Sequence, residues 1–206
     1  MKTTRLFAIS VALFAIQFAA TAQTVELFNG KNLDGWKFQL DPKSDARPES
    51  VFSVQDGVIA VSGQPFGYMY TDGVYDNYRL HVEWRYLGKG TNSGIFQFVQ
   101  EAKFWPNSIE CQLQSGRAGD FIQMGGAKLE KNPQRENFAM LNASNENSVG
   151  EWNNMDIICQ DGRITVFVNG TFKNEALTAG KKSGHIALQS EGGPLQFRNV
   201  RLTPLK

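Results

Sequence analysis

The chain has 206 residues, with 21 Lys and Arg against 20 Asp and Glu, a formal net charge of +1. So even a balance gives no electrostatic reason to expect nucleic acid or an anionic membrane as partner, and points to a small neutral ligand. Fifteen Phe, five Tyr and four Trp are enough for the core of one domain. There is no Gly-x-Ser-x-Gly nucleophile elbow and no phosphate-binding glycine loop, and two His and two Cys, scattered along the chain, exclude a structural zinc site.

From the N-terminus, Lys2 and Arg5 precede an apolar run over residues 6–20, and Ala20-Thr21-Ala22 precedes Gln23. This is the pattern of a cleavable export signal, predicting residues 1–22 as signal peptide, a single domain over residues 23–206, and a periplasmic or secreted protein. Without Lys2 and Arg5 the count is 19 basic against 20 acidic residues.

Turn signals then recur too often for long helices. Residues 51–55 and 58–62 flank Asp56-Gly57 and read as a hairpin. Residues 79–86, 94–99 and 108–114 read as strands. A meander follows over residues 155–160, 163–168 and 171–173, punctuated by Asp161-Gly162 and Asn169-Gly170, and residues 185–189 and 195–202 close the set. Residues 116–150 are rich in Gly, Asn, Lys and Glu. They read as loops over the mouth of the sheet, with a short helix near residues 129–138. Many short antiparallel strands with one long excursion predict an all-β, two-sheet antiparallel sandwich of jelly-roll type. Cys111 and Cys159 fall on apolar strand faces, where two readings stay open: buried free thiols, or a disulfide.

Alternation also sorts the polar residues. Ile109, Cys111 and Leu113 share one side of their strand, and Glu110, Gln112 and Gln114 the other; His81, Glu83 and Arg85 share a face of theirs. The expectation is one polar wall built by several strands, with Glu110 and Arg198 converging in a single hollow.

Four segments carry a family likeness: Glu26-Leu-Phe-Asn-Gly-Lys-Asn-Leu-Asp-Gly-Trp36, Asn92-Ser-Gly-Ile-Phe96 leading into Glu110-Cys-Gln112, Gly150-Glu-Trp-Asn153, and Gly184-His-Ile-Ala-Leu-Gln189 running on to Gln196-Phe-Arg-Asn199. In their order and joint presence they resemble the 3-keto-disaccharide hydrolase domain family, over nearly all of residues 23–206. The resemblance implies a concanavalin-A-like jelly roll with long loops over a concave sheet that binds sugar. It also implies cleavage, as hydrolase or lyase, of glycosides oxidised to a ketone at the third carbon. The ketone acidifies the proton on the second carbon, so a modest base removes it where the enolate oxygen is stabilised.

The candidate catalytic residues are Glu110, Glu83, His185 and Glu191. Glu110 resembles the family's Glu-x-Gln strand and is expected as general base, or as ligand to a metal holding the ketone. The candidate substrate-binding residues are Gln112, Gln189, Arg198, Arg85 and Trp105, the last beside Pro106 in a turn; Trp36 and Tyr68 are further stacking candidates. Carboxylates with a carbonyl or His suit calcium, manganese or another divalent cation, so a cation is a possible cofactor of unassigned identity. Two departures from the family pattern stand out. Ser190-Glu191 occupies a turn where relatives often carry Asp-His, and Gln97-Phe98 continues a strand where relatives frequently carry an Arg. The alternatives are a non-catalytic, lectin-like sugar-binding module and a two-carboxylate glycosidase using Glu83 and Glu110.

Overall fold

The computed structural model describes residues 23–130 and 138–206. The expected signal segment lies outside the described residues, and so does most of the helix expected near residues 129–138; Leu129 itself forms a bridge with Thr178. Strands are numbered in chain order. One sheet runs β12 (Thr171–Leu177), β11 (Arg163–Val168), β10 (Asn153–Gln160), β6 (Tyr78–Tyr86), β14 (Leu195–Pro204), β4 (Val58–Val61) and β3 (Phe52–Gln55), with β1 (Val25–Glu26) also paired to β14. The second runs β2 (Trp36–Leu40), β5 (Gly67–Thr71), β13 (His185–Ser190), β7 (Gly94–Val99), β8 (Ser108–Gln112) and β9 (Phe121–Met124). All the pairings are antiparallel. This is the expected two-sheet jelly roll.

The two sheets close on one apolar layer. β6 sends Leu80, Val82 and Trp84 inward, β10 sends Met155 and Ile157, and β14 sends Phe197 and Leu202. They meet Met69, Ile95, Ile109, Ile186 and Leu188 of the other sheet, all at most 1% exposed. Period-two alternation makes this possible, because each strand offers its apolar residues to one side only. The hairpin turns fall where expected: Asp56-Gly57, Asp161-Gly162 and Asn169-Gly170 each place two successive residues at positive φ, which suits the right-handed twist of the flanking strands.

One polar group sits within the layer. Tyr78 donates to Gln97 Oε1 at 2.7 Å, and Cys159 Sγ lies 3.8 Å from the same oxygen. Gln97 points inward by the same alternation that buries Ile95, opposite Ile109 of β8, and the bulge at Phe98, φ 58°, turns the next residue into the core as well. Position 97 therefore belongs to the core, and a side chain there does not reach the concave face. Cys111 and Cys159 are buried free thiols, and burial pushes Cys159 up to about 12.

Some details differ from the sequence reading. Val51 ends a short helix, α1 (Pro48–Val51), and the strand starts at Phe52. Strands β1, β2, β5 and β9 were not anticipated. β5 shows no alternation because Gly67, Tyr68, Met69 and Thr71 are all buried, one side against the core and the other beneath a loop.

Phe197 is fully buried at the centre of the layer. Phe197→Ala is expected to cost about 3–5 kcal/mol in urea unfolding; a loss under about 1 kcal/mol would contradict this packing.

Candidate active site

The concave face is the outward side of the second sheet. In β8, Ile109 and Cys111 belong to the core, so Ser108, Glu110 and Gln112 project the other way. Glu110 pairs with Phe96 of β7, which pairs in turn with Ala187 of β13. Gln112 pairs with Gly94, and Gln189 follows Leu188, the partner of Ile95, so it stands beside Gly94 and opposite Tyr68 of β5. Gly94 makes room there, because the Glu110 carboxyl occupies the space where a Cβ at position 94 would stand.

Glu110 is only 4% exposed, and its Oε1 has no hydrogen-bond partner. Burial, and then the charge of Glu191, push its carboxyl up to about 8. It therefore holds its proton at neutral pH, which is the opposite of a resting base. Burial raises part-buried Glu191 too, but side-chain hydrogen bonds from Asn92 and Gln189 favour its ionised form. Two carboxyls thus share one electrostatic neighbourhood, both raised by burial, and the hydrogen bonds that favour the ionised form are on the shallower one. Asn92 Oδ1 and Gln189 Oε1 are buried acceptors without donors, a need that hydroxyl groups of a bound sugar would meet.

Around this pair the face is divided. Tyr68, Phe96, Val99, Met124 and Ala187 form a second apolar cluster with Tyr70 and Ile122. The loop joining β7 to β8 folds back over it, pinned where Tyr68 donates to the Lys103 carbonyl at 2.7 Å. At its rim Trp105 packs on Phe66 and Phe104, with ring centroids 4.7 and 5.1 Å away. On the other side of Glu191 opens a polar cleft of about 420 Å³, lined by Thr91, Asn92, Gln114, Ser115 and Gly192 among others.

Glu110, Glu191 and Gln189 are thus brought together, with Gln112 adjacent. Gln112 Oε1 is engaged by the Leu113 and Gln114 amides at 2.9 and 3.0 Å, leaving its NH2 as the group available to a ligand. His185 stands at the opposite end of β13 from Glu191, its Nδ1 3.0 Å from the Gly73 carbonyl and its ring edge-on to Tyr70. That is a tethered position away from the carboxyl pair. Trp36 belongs to the main core. Asn92, Phe66 and Phe104 were missed by sequence reasoning; the signal for Asn92 was its place directly before Ser93-Gly94.

Glu83, Arg85 and Arg198 are elsewhere, which corrects the expectation of one shared hollow. They lie on the outer face of the first sheet, with the apolar layer between them and Glu110. Since Val82 and Trp84 must face the core, Glu83 and Arg85 must face out. There Arg198 Nε and Asn199 Nδ2 donate to Glu83 at 2.6 and 2.7 Å, Arg85 Nε donates to Gln196 at 2.7 Å, and both guanidiniums stack on Trp152. Burial would raise Glu83, but Asn199, Arg198 and His81 outweigh it and hold its carboxyl below the ordinary value. Glu83 and Glu110 cannot flank one glycosidic bond, so the two-carboxylate glycosidase built on that pair is overturned.

A divalent cation fits the concave site poorly. Among the described residues no group of three or more His, Cys, Asp and Glu comes together that could hold one. No step is derived through a metal.

A buried acid whose affinity for its proton rises on folding is stabilising below its unfolded pKa near 4.3, and that contribution is lost as pH rises through about 8. Glu110→Gln is therefore expected to be more stable than the wild type by an amount growing from pH 5 to pH 9, to the order of a few kcal/mol. Thermal unfolding across that range reads it; a constant difference would contradict the burial argument.

The profile of the 3-keto-alpha-glucoside-1,2-lyase-like domain matches residues 23–203. Among solved structures, a Parabacteroides distasonis ATCC 8503 protein provisionally named a glycosyl hydrolase aligns with TM-score 0.66 and 22% identity, over 89% of this chain and 94% of that one. A carbohydrate-binding module of Bacillus subtilis aligns at 0.55 and 9%, over 81% and 94%. A Bacillus licheniformis β-glucanase aligns at 0.57 and 14%, over 92% and 100%. These likenesses carry the fold alone, and a comparison with curated protein sequences finds no match. With all but its first 22 and last three residues matched, the chain belongs to the 3-keto-alpha-glucoside-1,2-lyase-like domain family, and its function is carbohydrate-related.

Proposed function

We propose that this protein cleaves 3-keto-glycosides by removing the proton next to the ketone, with Glu191 as base and Glu110 as neutral donor. The observation that carries the reading is the buried Glu110 carboxyl, whose Oε1 has no donor among the described residues, beside Glu191, which Asn92 and Gln189 hydrogen-bond. Glu191 takes the proton from the second carbon while protonated Glu110 donates a hydrogen bond to the ketone oxygen, where negative charge collects as the enolate forms. A carboxylic acid kept neutral by an apolar site is suited to that task. The enolate's electron pair then forms the double bond between the first and second carbons as the anomeric C–O bond breaks. The leaving oxygen recovers a proton from Glu191. Water adding across the new double bond completes hydrolysis; without it the reaction ends as a lyase. Asn92, Gln189 and Gln112 would orient the sugar hydroxyls, and the pattern in residues 1–22 supports an exported enzyme.

One 3-keto-glucoside and its unoxidised parent, each with and without a chelator, test the reading. Aglycone is expected from the ketone alone and independently of the chelator. Release from both sugars would make the protein a glycosidase, and binding without release a lectin-like module. Glu191→Gln should lower kcat by about 10²–10⁴. Glu110→Ala should lower it by about 10²–10³, and Glu110→Gln, which keeps an N–H donor, by less. For the free enzyme, kcat/KM should fall as pH rises through about 8; a rise over that interval would exchange the two roles.

A further inference from the structure

Among the described residues Trp105 is the one exposed aromatic side chain, at 52%, and the other exposed large apolar groups, such as Val74 and Leu141, are single aliphatic residues. It does not stand alone. Phe66 and Phe104 support it at 4.7 and 5.1 Å and meet each other edge-on at 5.3 Å. The loop tip that carries it is anchored to β5 through the Tyr68 hydroxyl, so the ring is held in place before any ligand arrives. Phe66 leads into Gly67, which pairs with Ser190; the cluster therefore stands next to Glu191 across the strand pair.

The two flanks of Glu191 differ in chemistry. On one side Thr91, Asn92, Gln114 and Ser115 offer hydrogen-bonding groups to a cleft, as a keto-sugar with free hydroxyls requires. The other side presents three rings that offer a sugar no side-chain acceptor. A second sugar could lie on the half-exposed Trp105 by its C–H face with its hydroxyls still in water, but the rings would offer those hydroxyls nothing that selects them. A planar aromatic group would match the ring faces over its whole area and needs no polar partner there.

We infer that Trp105, backed by Phe66 and Phe104, forms a leaving-group subsite for aromatic aglycones, so that the natural substrates are 3-keto-glycosides of aryl alcohols. The inference rests on the proposed cleavage for its substrate and on the ring cluster for its selectivity. A phenolic oxygen is also a better leaving group than an alkyl alcohol oxygen, which matches departure of an anion from the enolate.

The test compares kcat/KM for phenyl and methyl 3-keto-glucosides in the wild type, Trp105→Ala and Trp105→Phe. Taking the ratio within each protein cancels the intrinsic difference between the leaving groups. The phenyl-to-methyl ratio should fall about tenfold in Trp105→Ala, as expected when a ring stacking worth roughly 1.4 kcal/mol is removed, and recover in large part in Trp105→Phe. An unchanged ratio would overturn the subsite while leaving the cleavage reading intact. Titration with the unoxidised phenyl glucoside, followed by tryptophan fluorescence, separates the two in the other direction. Quenching in the wild type that is absent from Trp105→Ala supports the subsite even if no ketone substrate is cleaved, and quenching unchanged by the substitution contradicts it.

Discussion

The dry layer between the two sheets governs everything else in this molecule. Each strand must turn one row of side chains into it, so every polar side chain of the intervening positions is committed to one of two outer faces that never meet. On the first sheet that rule produces a ladder in which Arg198 pairs with Glu83, Arg85 bonds Gln196, and both guanidiniums stack on Trp152. On the second it brings Glu110, Gln112 and Gln189 up from separate strands onto one surface. On the first sheet Glu83 and Arg198 thus neutralise each other, while on the second Glu110 and Gln189 keep buried oxygens without donors among the described residues. Unmet capacity is what a ligand site needs.

Within the concave face, Glu110 sets the chemistry because nothing offsets its burial. Among the described residues no donor reaches Oε1, and the missing side chain of Gly94 leaves room for the carboxyl. The charge of Glu191, of the same sign, raises its proton affinity further. A fold selected for stability alone would place an amide or an apolar residue there. That the carboxyl is retained next to a hydrogen-bonded carboxylate is the arrangement that separates an acid from a base at one pH. Loop and rim then give direction to the site, with a polar cleft on one flank of Glu191 and anchored rings on the other.

Much of this was legible in the sequence, and the limits have physical causes. Alternation over residues 108–113 placed Glu110 and Gln112 opposite the core because period two is a local property of the chain. The same rule put Glu83, Arg85 and Arg198 on a polar face but could not say which sheet β6 and β14 would join, and that is a long-range choice. β5 was missed because a strand covered on both sides has no alternation to read. Alternation from Ile95 already turns Gln97 inward, whereas the burial of Phe98 beside it depends on a left-handed residue that no periodic pattern announces. Asn92 and Phe66 act from loops whose positions depend on which strands they connect.

The central claim is that Glu110 is a neutral carboxylic acid at physiological pH. Carbon-13 NMR of the side-chain carboxyl groups, with Glu110 assigned by its loss in Glu110→Gln, measures this directly. The account predicts a titration midpoint near 8, lowered when the neighbouring charge is removed in Glu191→Gln. A midpoint near the ordinary glutamate value of about 4.3 would contradict it.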